Sequence, residues 1–486
     1  MINEFIRCGR RSFLKESGAT LLVLGSEFVE SQFASAQIAK SEPFSTRPGE
    51  PTFVLESSTL EDLWRVRRKL NPLVKSPRNP IMIRDQEWET SGPIIHGTVL
   101  YDPEDKLFKC WYQIFSDEAY RERLPWSYRI CYATSSDGYE WHKPDLGLVE
   151  WKGSKHNNYI KLGRQRTNAI CVVIAPPGSG APHRFLALYL DKPGVCLAYS
   201  DNGTEWIEHP LNPIEPSESD DHNILLYDQH RRVWMIYLRP RFYAGVWKRR
   251  RALMESLDLK TWTKQQTVLI PDEADPPEIM VMPVFQRGNL FWGLLDMYDQ
   301  TRGSNEVELT FSRDGRNWVR VPPRERFIPR GPAGDFDSGT IFVGSQPVIV
   351  GDEMRFYYGA LDGDHERVYP STNEAIGVGS VPVDRLYGVV HSTPEAPGFL
   401  LTRPLLFNGE KLEVNAMVGS QLRVAVLDWG GQAMPGFGFE DCQPIVGDSL
   451  RHSVSWRGQG LPHRGSNPLR LKFKLERATL YTFTVV

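Results

Sequence analysis

Long apolar runs are missing from this 486-residue chain: no stretch reaches 18 consecutive apolar residues, so no membrane-spanning helix is expected. Charge of one sign is missing too. The 57 basic and 60 acidic side chains leave a net charge of -3 with no basic stripe, which gives no footing for nucleic acid as a partner. The nucleophile elbow Gly-x-Ser-x-Gly, the fingerprint Gly-x-Gly-x-x-Gly and the P-loop are absent, which argues against a serine triad and against a nucleotide cofactor. Cysteine is scarce, at six residues, and no Cys-x-x-Cys spacing starts a zinc site.

What is present begins with an address. Arg10-Arg11-Ser12-Phe13-Leu14-Lys15 resembles the twin-arginine export motif, an apolar run follows over 18–29, and Ala34-Ser35-Ala36 has the small-x-small form of a cleavage site. Residues 1–36 therefore read as a signal peptide, and the resemblance implies a bacterial protein folded before translocation to the periplasm or beyond. Cys110, Cys131, Cys171, Cys196 and Cys442 remain after cleavage. Cys110 with Cys131 and Cys171 with Cys196 lie on consecutive expected strands, so pairing is open, but buried free thiols are the expectation. Residues 37–78 form a Pro-rich lead with one helical pattern over 60–70, where Leu60, Leu63, Trp64, Arg67 and Leu70 share a face.

The rest is organised by a repeat. Ser135-Ser136-Asp137-Gly138-Tyr139-Glu140-Trp141 recurs as Ser200 to Trp206, Ser256 to Trp262 and Ser312 to Trp318, with the tryptophans 65, 56 and 56 residues apart. Each copy follows an alternating apolar run, and Asp-Gly supplies the positive φ of a tight turn. A strand-turn-strand unit of that period fits a four-stranded propeller blade. Five blades are expected over 79–390. Their first strands are 94–101, 169–174, 224–227, 279–285 and 340–342. After the linker 391–398, the short alternating runs 412–416, 422–427, 454–456, 469–475 and 480–485 read as a β-sandwich over 398–486. The fold class is all-β, a five-bladed β-propeller followed by a C-terminal β-sandwich, with the sandwich as a stability or interface module.

In a propeller, the starts of the first strands converge on one mouth of the central channel. Asp221, Glu278 and Asp337 stand at three such starts, 57 and 59 residues apart. Asp is disfavoured in strands, and a carboxylate at an apolar channel is costly unless paired. Converging acids push their pKa values apart and so supply the acid and base of glycoside hydrolysis. The alternative is that each caps a turn or pairs with an arginine such as Arg239 or Arg241. Glu89, Trp88, His96, Asn168, His222, Arg239 and His365, the last in the loop Gly363-Asp364-His365-Glu366, are candidates to contact a sugar. His96, His222 and His365 lack a metal-ligand spacing, so no metal is expected.

The repeat, the acids opening successive blades and the terminal sandwich together resemble the five-bladed propeller glycoside hydrolases of families 32 and 43, and the secreted bacterial proteins with a family 32-like N-terminal domain. That resemblance implies a carbohydrate substrate, no cofactor, and a base or nucleophile, a stabiliser and a general acid drawn from successive blades. On it, Glu278 is the general acid, and Asp221 and Asp337 share the other two roles. The Asn-Asp-Pro-Asn-Gly, Arg-Asp-Pro and Glu-Cys motifs of the fructosidases are absent, and the acids start at the third blade. A carboxyl separation of roughly 5 to 5.5 Å would mean retention and about 6.5 to 9.5 Å inversion. The competing expectations are a non-catalytic carbohydrate-binding propeller and a scaffold for protein partners.

Overall fold

The repeated heptapeptide is one turn built four times. In the computed structural model, which describes residues 42–486 except 125, 165–166, 192–193, 217–218, 220–221, 241–248, 277, 365–373 and 464–466, Ser135 Oγ accepts the Gly138 N–H at 2.8 Å. Asp137 Oδ1 accepts the N–H groups of Tyr139 and Glu140 at 2.8 and 2.9 Å. The same bonds recur around Ser200 and Asn202, Ser256 and Asp258, and Ser312 and Asp314. The side chain thus satisfies turn amides that no strand partner can reach. The fourth position is left-handed in all four turns, at φ +78, +82 and +73° for Gly138, Gly203 and Gly315 and +63° for Leu259.

Those turns also tie neighbouring blades together. The Trp111 indole N–H donates to the Gly203 carbonyl at 2.7 Å, Tyr237 OH to Gly315 at 2.8 Å and Tyr357 OH to Gly138 at 3.1 Å. Each buried aromatic thereby finds the polar partner that burial demands.

Five antiparallel sheets make the ring. Blade one holds Ile94–Asp102, Leu107–Phe115 and Tyr128–Ser135, and blade two holds Asn168–Ile174, Phe185–Asp191, Gly194–Ser200 and Ile207–Glu208. Blade three holds Ile224–Asp228, Val233–Leu238, Arg251–Ser256 and Gln266–Leu269. Blade four opens with Glu278–Ile279 and Val284–Arg287 against Leu290–Asp299, followed by Ser304–Ser312 and the short outer strands Trp318–Arg320 and Arg326–Ile328. Blade five runs from Thr340–Val343 and Val348–Val350 through Glu353–Leu361 and Ala375–Pro382 to Val74–Lys75, a strand from the N-terminal lead that closes the ring.

The lead departs from expectation. Residues 60–70 are not a helix but an extended run, Leu60–Trp64 and Val66–Leu70, broken only at Arg65 with φ +54°. It pairs along Gly398–Thr402 and Tyr387–His391, so the sandwich takes an edge from far upstream. Tertiary pairing overrode a pattern in which only Leu60 and Leu70 are buried. The expected runs 412–416 and 422–427 form one strand, Leu412–Leu427, and 469–475 with 480–485 form Arg470–Val485. Register shifts after Asn415 and Val418 bend this pair, which lets it serve as the spine of the sandwich. One buried cluster joins Leu294, Leu309 and Phe356 of the propeller to Leu400, Val424 and Phe473 of the sandwich.

All five described cysteines are buried and free. Cys171 and Cys196 occupy strands separated by Phe185–Asp191, and Cys131 lies opposite Tyr112 rather than Cys110. The one helix among the described residues is Asp117–Arg121, and no helix there is long and apolar enough to cross a membrane.

Candidate functional site

At the mouth where the inner strands begin, Ile94, Met280, Val281, Tyr298, Phe342 and Leu361 form a small buried apolar floor drawn from blades one, four and five. Polar groups stand around it. Glu278, the first residue of blade four, is 1% exposed and forms a 2.6 Å ion pair with Arg249, while the Gln300 amide donates to its Oε1 at 2.9 Å. The Arg249 guanidinium lies 5.9 Å from the Tyr298 ring, whose hydroxyl donates to Asp364 at 3.0 Å. Next along, Arg251 donates to the Ile279 carbonyl at 2.7 Å and so fixes the strand that carries Glu278.

His96 and His222 meet here as well. Their rings are nearly parallel with centroids 6.4 Å apart, and His96 also packs against Phe342 at 4.4 Å. His96 is half-buried, whereas His222 is 1% exposed. Burial pushes the His222 pKa down to about 3, helped by the charges of His96 and Arg251, so the ring is neutral.

Beneath the histidine pair a hydrogen-bond network crosses the channel. Ser345 Oγ donates to the Gly97 carbonyl at 3.0 Å, lies 2.7 Å from Thr98 Oγ1 and lies 3.0 Å from His222 Nε2. Thr98 Oγ1 accepts the Val172 N–H at 2.8 Å. Ser345 Oγ thus has a backbone carbonyl, a hydroxyl and an imidazole nitrogen within 3.0 Å. Blades one, two and five and the lead into blade three thus contribute to one polar plug that separates the two mouths of the channel.

The other sequence candidates are distributed differently. Asp337 is buried, but its Oδ2 is held by Lys75 Nζ at 2.6 Å and accepts from Tyr358 OH at 2.9 Å. Lys75 lies on the closing strand of blade five and Tyr358 on its middle strand, so the carboxyl bonds to two strands of its own blade. Glu89 is likewise fully buried within blade one, 2.8 Å from Lys143 and bonded by Tyr112 OH at 2.7 Å. Trp88 spends its indole N–H on Asn158 at 2.8 Å and packs into the blade-one core. Asn168 is buried at the start of the blade-two inner strand, and the Arg239 N–H meets Asn223 Oδ1 at 3.4 Å beside His222. Asp221 and His365 lie outside the described residues.

Arg249, Gln300, Tyr298 and Asp364 were not foreseen. Only Asp364 carried a signal, since it adjoins His365 in a polar loop. Among the described residues no group of three or more His, Cys, Asp or Glu is arranged to hold a metal ion.

The chain is similar to several solved structures. An N-acetylgalactosamine deacetylase from F. plautii in complex with blood group B trisaccharide matches with TM-score 0.44 and 17% identity, over 65% of this chain and 96% of that one. The α-L-arabinofuranosidase PaAbf62A from Podospora anserina matches with TM-score 0.43 and 11% identity, over 66% and 99%. A β-1,2-mannobiose phosphorylase from Listeria innocua matches with TM-score 0.45 and 11% identity, over 65% and 98%. No protein-family model and no curated protein matches the sequence.

Proposed function

We propose that this protein is an exported glycan-active enzyme that hydrolyses O-glycosyl bonds at the mouth where the inner strands begin. The observation that carries the reading is Glu278: a carboxylate 1% exposed at the first residue of an inner strand, ion-paired to Arg249 beside an apolar floor. A charge buried there has no folding advantage over an apolar pair, so it marks a site where charge is used. An arginine at 2.6 Å suits a carboxylate that accepts a proton or faces an oxocarbenium-like charge better than one that donates a proton. We therefore move the general-acid role from Glu278 to Asp221, adjacent in sequence to His222, and assign Asp337 to holding blade five closed. His96, Asn168 and Arg239 are the proposed sugar contacts, and export through Arg10 and Arg11 delivers the folded chain to its substrate.

The test is turnover by the full chain on nitrophenyl glycosides and on plant and algal polysaccharides, with Glu278→Gln alongside. Loss of turnover with retained sugar affinity supports hydrolysis. A second reading, a carbohydrate-binding propeller without turnover, is favoured by one feature: Glu89, Glu278 and Asp337 each carry a cationic partner. Under that reading the wild-type chain binds saccharide but releases no product from any substrate in the panel.

A further inference from the structure

The far mouth of the channel, where the inner strands end, opens into a cavity of about 670 Å³. Its floor is apolar, from Leu100, Val173, Leu226, Val284 and Val348, one side chain or more from every blade. The polar groups around that floor are mostly uncharged: the amides of Gln229, Gln286 and Gln346, from blades three, four and five. Tyr101, 38% exposed, and Tyr227, whose ring packs on buried Trp234 at 4.9 Å, add aromatic surface. The segment Gly49 to Pro51 forms part of the wall and is anchored on both sides, by the Gly49 N–H on the Val485 carbonyl at 2.8 Å and by the Phe53 N–H on Asn289 at 2.8 Å.

The fixed charges at this rim cancel locally. Arg287 forms two bonds with Asp384, at 2.6 and 2.9 Å, and Arg47 lies 3.3 Å from Glu50. Arg47 also meets His230 Nε2 at 2.6 Å, so that ring nitrogen is an acceptor and the imidazole is neutral. Such a lining does not select an anion, a cation or a purely apolar ligand. Amides that donate and accept at once, set above an apolar and aromatic floor, match a neutral sugar: hydroxyls at the ring edge, C–H groups on its faces. The volume lies in the range that encloses a small ligand.

We propose that the far mouth is a second saccharide-binding site, which holds a neutral segment of a glycan without cleaving it. The choice of ligand class rests on the glycan reading above, but the site itself does not. An inner strand of seven residues, such as Asn168–Ile174, spans roughly 20 Å, and the Ser345 network lies between the mouths, so the two sites bind separately.

The experiment uses the full chain on an array of neutral glycans, followed by titration calorimetry with the best binder. Gln229→Ala/Gln346→Ala and Tyr101→Ala are compared with Glu278→Gln. The expected result is that the glutamine pair weakens binding at least tenfold and leaves turnover of a nitrophenyl glycoside unchanged, while Glu278→Gln leaves this binding intact. Binding that responds to Glu278→Gln alone, absence of binding to any neutral glycan, or binding indifferent to the glutamine pair would overturn the inference. If no substrate is turned over but binding depends on Gln229 and Gln346, the hydrolase reading fails and the second site stands. If turnover depends on Glu278 and no binding depends on the glutamines, the reverse holds.

Discussion

Arg249 and Glu278 form an ion pair of 2.6 Å between the segment leading into the third strand of blade three and the first residue of blade four. The pair joins two blades at the proposed site, with Glu278 1% exposed and the Arg249 side chain 14% exposed. Breaking it from either side leaves an uncompensated charge, at a cost of about 3–5 kcal/mol. Arg249→Met and Glu278→Leu should each lower the urea midpoint by a corresponding amount, while the double variant recovers most of that loss. Glycoside turnover should not recover: each single variant and the double should fall by about 100-fold or more. A double variant that is stable and active would show that the pair serves folding alone.

The turn latch makes a sharper prediction for Gly315. A Cβ there would sit 2.5 Å from Tyr237 OH and 2.8 Å from the Met235 methyl, on a backbone at φ +73°. Gly315→Ala therefore combines a left-handed penalty of about 1 kcal/mol with overpacking of about 1–3 kcal/mol. Gly351 supplies the control, since its φ is +55° but nothing lies within 4 Å of a Cβ. In guanidinium unfolding, Gly351→Ala should lose only the backbone part, about 1 kcal/mol. Equal losses at both positions would deny the inter-blade contact any role.

These two pairs also show what a sequence can display. The turns were legible because their chemistry is local: a side chain at position one, an Asx oxygen at position three and a left-handed fourth residue all lie within four positions. Glu278 and Asp337 stood out in the sequence because each comes just before an apolar run, 59 residues apart. Their partners did not. Lys75 meets Asp337 across 262 positions, and Arg249 is brought to Glu278 by the ring, so nothing in either neighbourhood separates a paired acid from a free one. Residues 60–70 misled because leucines at spacings of three and seven suit a helix face, whereas the extended run they form buries only its ends and pairs directly with strands more than 300 residues downstream.

Lys75 and Asp337 bear on ring closure. Lys75 belongs to the two-residue strand that completes blade five, and its ammonium is 2.6 Å from a carboxyl side chain that is 3% exposed. Asp337→Asn removes the charge and keeps the shape. Because Lys75 keeps 23% of its side chain in solvent, the expected cost is at the low end for a buried pair, about 3 kcal/mol. Hydrogen exchange should show the amides of Ala375–Pro382, which face the closing strand, losing protection before those of blade two. If Asp337→Asn instead abolished turnover with stability unchanged, Asp337 would belong to the reacting groups.

His222 sets a pH dependence whose sign follows from its burial. Its folded pKa is depressed to about 3, against about 6.5 in an unfolded chain, so below pH 6.5 the unfolded state binds a proton that the folded state refuses. The stabilisation is complete above pH 6.5 and is lost as the pH falls toward 3, by up to about 1.4 kcal/mol per unit. His209 and His230 are shifted in the same direction, also first by burial, so acidification from pH 7 to 5 should lower the urea midpoint by more than His222 alone would produce. His222→Gln isolates its share: an amide can still hydrogen-bond Ser345 Oγ, as donor or acceptor, but takes up no proton. The variant should be less stable than wild type at pH 7, because the polar plug is disturbed, and its stability should fall less steeply between pH 7 and 5. An unchanged slope would mean that His222 is protonated in the folded protein, which its burial and the charges of His96 and Arg251 oppose.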